Sequence, residues 1–144
     1  MIRLLFAFFF YLFPQVAGNE ITFFYLDRGQ YEYVATSVAY KHVGSLGDSW
    51  VEWSPWFSVR RDITIDLDRG YIVVSSNNGK FSYRIVKSNG EEYSDGMGGR
   101  MYDWMVVDDD NYRCKIKYRV DIDGRRQLYI MYTAVKWVYN MDKK

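Results

Sequence analysis

Apolar and polar residues alternate along most of this chain with a period of two, the spacing of a β-strand with one packed face and one wet face. The clearest case is YRCKIKYRVD. There Tyr112, Cys114, Ile116, Tyr118 and Val120 share one face, and Arg113, Lys115, Lys117, Arg119 and Asp121 share the other. DITIDLD sends Ile63, Ile65 and Leu67 one way and its acids the other. KFSYRIVK does the same with Phe81, Tyr83 and Ile85. EITFFYL and QYEYVATSVAYK predict two further strands.

The breaks between these runs predict tight turns. DRG (Asp68–Gly70), NNG (Asn77–Gly79) and DIDG (Asp121–Gly124) carry residues that accept positive φ cheaply. QLYIMYTAVKWVYNM predicts one long last strand, bent near Thr133-Ala134 where the apolar register changes. KHVGSLGDS and SNGEEYSDGMGGR predict loops. No run beyond the N-terminal segment has a helical period, apart from room for one turn around Trp50–Trp56. The expected fold is therefore all-β: an antiparallel up-and-down meander of about eight or nine strands, closed into a barrel or rolled into a strongly curved sheet.

The first residues follow a different pattern. Arg3 precedes an unbroken apolar run from Leu4 to Phe13, and Val16-Ala17-Gly18 supplies small residues after it. This is the pattern of a cleaved secretory signal, residues 1–18. The run is too short to span a bilayer, which needs roughly 20 apolar residues. The expected product is one β domain, 19–144, with no transmembrane segment, exported to a periplasmic or extracellular space.

Composition then narrows the functional classes. The whole chain has 19 Lys and Arg against 18 Asp and Glu, and losing Arg3 with the leader removes the excess. Near-zero charge argues against nucleic acid, which is bound through a basic surface that displaces counterions. The leader holds five of the nine Phe, so the remaining aromatics are mostly Tyr and Trp. Those rings combine an apolar body with a polar handle and suit pocket linings and interfaces. A single Cys rules out an internal disulfide, so packing alone must hold the domain.

Candidate sites are few. DSWVEWSPWFSV carries Trp50, Trp53 and Trp56, three of the five tryptophans. Counted back from Val59 along a strand, Phe57 and Trp53 face one way, Trp50 and Trp56 the other. They form either a packed plug with a loop cover or a stacking platform for a sugar, lipid or peptide. Val106–Asn111, VVDDDN, offers three consecutive acids, but a tight turn rarely converges the six to eight oxygens that calcium takes. Cys114 and His42 would be a nucleophile and base only if brought together, and alternation sends Cys114 into the core. No phosphate loop, nucleophile elbow, metal-ligand spacing or Cys-x-x-Cys occurs. Neither catalysis nor a cofactor is expected.

The tryptophan cluster, ITIDLDRGYIVV, DDDNYRCKIKY and RQLYIMY together resemble small exported bacterial β proteins of unassigned function. Length and strand order are also similar to the lipocalin-like (calycin) barrels. That second resemblance implies a small apolar or amphipathic ligand inside an aromatic-lined barrel. Trp53, Phe57, Phe81, Tyr83, Trp104, Tyr112 and Tyr118 are the inward candidates for its lining. The alternative is a filled barrel that meets an envelope protein or a polysaccharide through loops at one end. An open cavity would favour the first, and exposed aromatics at one end the second.

Overall fold

A computed structural model describes residues 29–44, 49–88, 93–94 and 96–144. The leader and EITFFYL lie outside these residues. Among the described residues nine strands follow in order: β1 (Gln30–His42), β2 (Phe57–Asp66), β3 (Tyr71–Ser76), β4 (Gly79–Ser88), β5 (Tyr93–Ser94), β6 (Arg100–Asp108), β7 (Arg113–Val120), β8 (Arg126–Met131) and β9 (Val135–Lys143). Every pairing is antiparallel. The described residues contain no helix, including the stretch around Trp50–Trp56.

Neighbours in sequence are neighbours in the sheet, and β1–β9 and β4–β6 pairings complete the circle. Eight strands thus form a closed up-and-down barrel. The short β5 is the extra strand. It pairs with Arg100 and Met101 on the edge of β6 that β4 leaves at Trp104. Register shifts between Ala35 and Ser37 on β1, and between Ile85 and Lys87 on β4, mark bulges that help a sheet coil tightly enough to close.

The long last strand expected from QLYIMYTAVKWVYNM is instead two strands. The chain reverses at Tyr132–Ala134, where the Tyr132 N–H bonds to the Val135 carbonyl at 2.9 Å. The apolar register changed there because the chain turned back.

Alternation sorts the side chains as the sequence predicts. Ile63, Ile65, Ile72, Val74, Val106, Ile116 and Leu128 point inward and are at most 1 % exposed. A side chain lining a ligand-sized hollow would keep surface open to water, so the middle of this barrel is filled. Tyr33, Tyr102 and Tyr118 close one end with tilted rings 5.7 and 5.9 Å apart. The Tyr33 and Tyr118 hydroxyls bond at 3.0 Å. Burial and that bond hold the Tyr33 phenol protonated, well above the ordinary tyrosine range. The other end is built by the β1–β2 connection and by the β3–β4, β6–β7 and β8–β9 turns. Among the described residues an open cleft lies at this end.

Candidate functional site: the open mouth of the barrel

The mouth exists because inner-face positions continue past the packed layers. Phe57 pairs with the inward Val38, Phe81 with the inward Val74, and Tyr40 with Trp137. Each lies toward the mouth, so its ring stands at the rim with too few neighbours to bury it. Phe81 is 55 % exposed and Tyr112 67 %. Tyr40 and Phe57 stack on one another with centroids 6.0 Å apart. Tyr132 and Trp137 meet edge to face at 5.8 Å.

Within this rim lies an open cleft of about 500 Å³. Phe81, Tyr112, Tyr132, Val135 and Trp137 supply its apolar wall, with Tyr83 and Asp108 also lining it. The acids arise from the β6–β7 turn. Asp108 Oδ1 accepts the N–H groups of Asp110 and Tyr112, both at 2.9 Å, which folds the turn back on itself. Asn111 takes the left-handed conformation that this turn demands, with φ 64°. Asp109 Oδ2 accepts the Ser82 N–H at 3.1 Å and ties the turn to β4.

Asp108 Oδ2 accepts a 2.6 Å bond from the Tyr132 hydroxyl. That bond, with the backbone donors of Tyr112 and Asp110, holds the Asp108 carboxyl below its ordinary range. The site therefore presents a fixed negative charge among aromatic rings. Tyr132 is held protonated by burial and by the same bond. Beneath them, burial raises the Tyr83 phenol and pushes the Cys114 thiol up to about 11. Asp109, Asp110 and Arg113 also line the cleft, and Arg61 faces inward on β2 opposite Ala35. Its guanidinium bonds to the Tyr139 hydroxyl at 3.1 Å and lies 5.7 Å from that ring.

The nine aromatic candidates divide three ways. Phe81, Tyr83 and Tyr112 come together in the cleft, and Phe57 stands elsewhere on the rim. Trp104 and Tyr118 are buried in the filled core. Trp50 and Trp53 lie on the outer surface beside Lys41, and Trp56 is exposed. Trp53, expected to face inward, lies edge to face with the outward Tyr129 at 6.3 Å. Residues 51–56 are not a strand, so alternation counted back from Val59 does not hold there. Instead this segment bonds along the free edge of β1. The Ser54 N–H donates to the Tyr40 carbonyl and the Val51 N–H to that of His42.

Phe57, Phe81 and Tyr112 are thus exposed where a core lining was expected. Asp108, Tyr132 and Trp137 were not singled out as site residues. Their signal in sequence is position alone: each adjoins a turn at the same end of the meander. Cys114 is buried and His42 exposed, its Nδ1 within 2.8 Å of the Val43 carbonyl oxygen. Among the described residues no group of His, Cys, Asp or Glu is arranged to hold a metal ion, and no helix is long and apolar enough to cross a membrane. No protein family, curated protein or solved structure matches the chain.

Proposed function

We propose that this chain is an exported, non-catalytic binding protein that takes a small amphipathic ligand in the mouth of its barrel. The observation that carries the proposal is the cleft itself. Its volume falls in the usual range for small-molecule sites, roughly 300–1,000 Å³. It combines an aromatic wall with charged groups, the fixed Asp108 carboxylate among them, the mixture that binds an apolar body and orients a polar group. A ligand carrying a cationic or hydrogen-bond-donating group fits best, because Asp108 is ionised and offers only acceptors.

The chemistry of the same groups speaks for binding over catalysis. A general base works best with its pKa near the operating pH, and Asp108 is shifted the other way. A nucleophilic Cys works as a thiolate, and Cys114 is shifted away from one. The filled middle of the barrel moves the lipocalin-like expectation from the lumen to the rim. The alternative of an envelope protein or polysaccharide partner draws on the exposure of Phe81 and Tyr112, whose rings flank the cleft and would be covered by a large partner.

Titration with cationic and anionic amphipathic dyes tests the proposal. Dye fluorescence should rise with the cationic probe, saturate at one site, and weaken in Trp137→Ala and Asp108→Asn. Equal binding of both dyes, or binding unchanged in those variants, would remove the cleft as the site.

A further inference from the structure

The outer wall beside the mouth carries a second feature that the cleft does not use. Lys41 on β1 lies directly opposite Lys136 on β9, and Met131 on β8 joins Lys136 to Lys115 on β7. These positions face outward, because Tyr40, Trp137, Ile130 and Ile116 beside them face in. Like charges directly opposite on a sheet repel and cost stability. Here the tryptophan segment offsets that cost. The Lys136 ammonium sits 4.1 Å from the Trp50 ring, and the Lys41 ammonium sits 4.7 Å from Trp53 and 5.8 Å from Trp50. Lys117, in the next row, sits 5.9 Å from Tyr93.

Among the described residues none of Lys41, Lys136 and Lys117 pairs with a carboxylate. The acid opposite Lys117, Asp103, accepts the Tyr93 hydroxyl at 2.8 Å. Partial burial and the charges of Lys41 and Lys117 push Lys136 below the ordinary lysine range, so the cluster stores repulsion that an anion would relieve.

Apolar surface accompanies the charge. Ala39 and Val138 are paired, outward-facing and yet buried, beneath the tryptophan segment. Trp56, at the end of the tryptophan segment, is 48 % exposed. Val51 and Trp53 are exposed in the same segment.

We propose that this outer patch, with the tryptophans at its centre and Lys41, Lys136 and Lys117 around them, docks the protein on an anionic membrane surface. A hydrated polyanion such as an acidic polysaccharide would satisfy the lysines and leave Val51 and Trp56 wet. A bilayer interface satisfies both, because indole rings settle at headgroup level and ammonium groups reach the lipid phosphates. With the leader removed the net charge is near zero and gives little general attraction, so binding depends on the local patch.

The test is sedimentation of the exported protein with phosphatidylcholine vesicles, with and without phosphatidylglycerol. Variants of one chain are compared, so any N-terminal contribution is common to all. Binding should require phosphatidylglycerol and weaken with salt. Lys41→Gln with Lys136→Gln should weaken it about 30-fold, at about fivefold per lysine. Trp56→Ser should weaken it as well while leaving the circular dichroism unchanged. Equal binding to both vesicle types, indifference to these variants, or binding to dextran sulfate with none to vesicles would overturn the proposal. None of these results bears on the cleft, which Lys41, Lys136 and Trp56 do not line.

Discussion

Replacing Ile116 with Ala distinguishes a filled barrel from a hollow one by energy. Ile116 is 0 % exposed and lies between its ladder partners Trp104 and Ile130, which are also buried. The substitution removes three carbons, a transfer loss of about 2.4 kcal/mol at about 0.8 kcal/mol per carbon. The rigid wall and the Trp104 ring leave little room to collapse, so a residual cavity adds to it. The total falls at about 3–4 kcal/mol, inside the range of about 2–5 for Ile→Ala in packed cores. Were the lumen open, the same side chain would touch neighbours on one side only, and the cost would be about 1 kcal/mol. Phe81→Ala at the exposed rim serves as the control and should also cost about 1 kcal/mol. Urea unfolding followed by tryptophan fluorescence reads the difference as a shift of midpoint at constant slope. In melting temperature it is a drop of about 10–15 °C for Ile116→Ala. If Ile116→Ala cost no more than Phe81→Ala, the middle of the barrel would be open and the argument for the rim would fail.

Two further outcomes follow from the groups at the mouth. Tyr132→Phe removes the bond to Asp108 and should cost about 1 kcal/mol at neutral pH, less than a sheltered charged bond because solvent screens the open cleft. Asp108 has a lowered folded pKa, so its contribution is complete above the unfolded value of about 3.9 and is lost as the pH falls through the folded value. The gap between wild type and Tyr132→Phe, measured by urea unfolding, should therefore close below about pH 4; a gap that widens in acid would contradict the assignment. Cys114, buried with its thiol at about 11, should react with a thiol reagent only after unfolding; fast labelling of the native protein would place it at the surface.

Much of this architecture was legible because a strand on a barrel wall has only two faces. The core from Ile63 to Ile130 follows from period two, and three Asn-, Asp- or Gly-bearing turns fix most of the meander order. The β8–β9 reversal was not legible, since Tyr132-Thr133-Ala134 contains no residue that announces a turn. Period two also gives a side chain's face but not its height along the barrel. Height depends on the stagger of neighbouring strands. Phe81 and Tyr83 therefore looked equivalent, although one stands at the rim and the other is buried. The tryptophans were hidden for another reason. Trp50–Trp56 is held by bonds to the edge of β1, so its ring directions are set by β1 and β9 and not by its own spacing.

The central claim is that the mouth holds a ligand. The most direct measurement compares the native and denatured masses of protein purified from its own source, beside a Phe81→Ala, Trp137→Ala double variant. The account predicts a discrete extra mass in the native protein, lost on denaturation and missing from the double variant. A native mass equal to the chain alone, or an extra mass that the double variant retains, would contradict it.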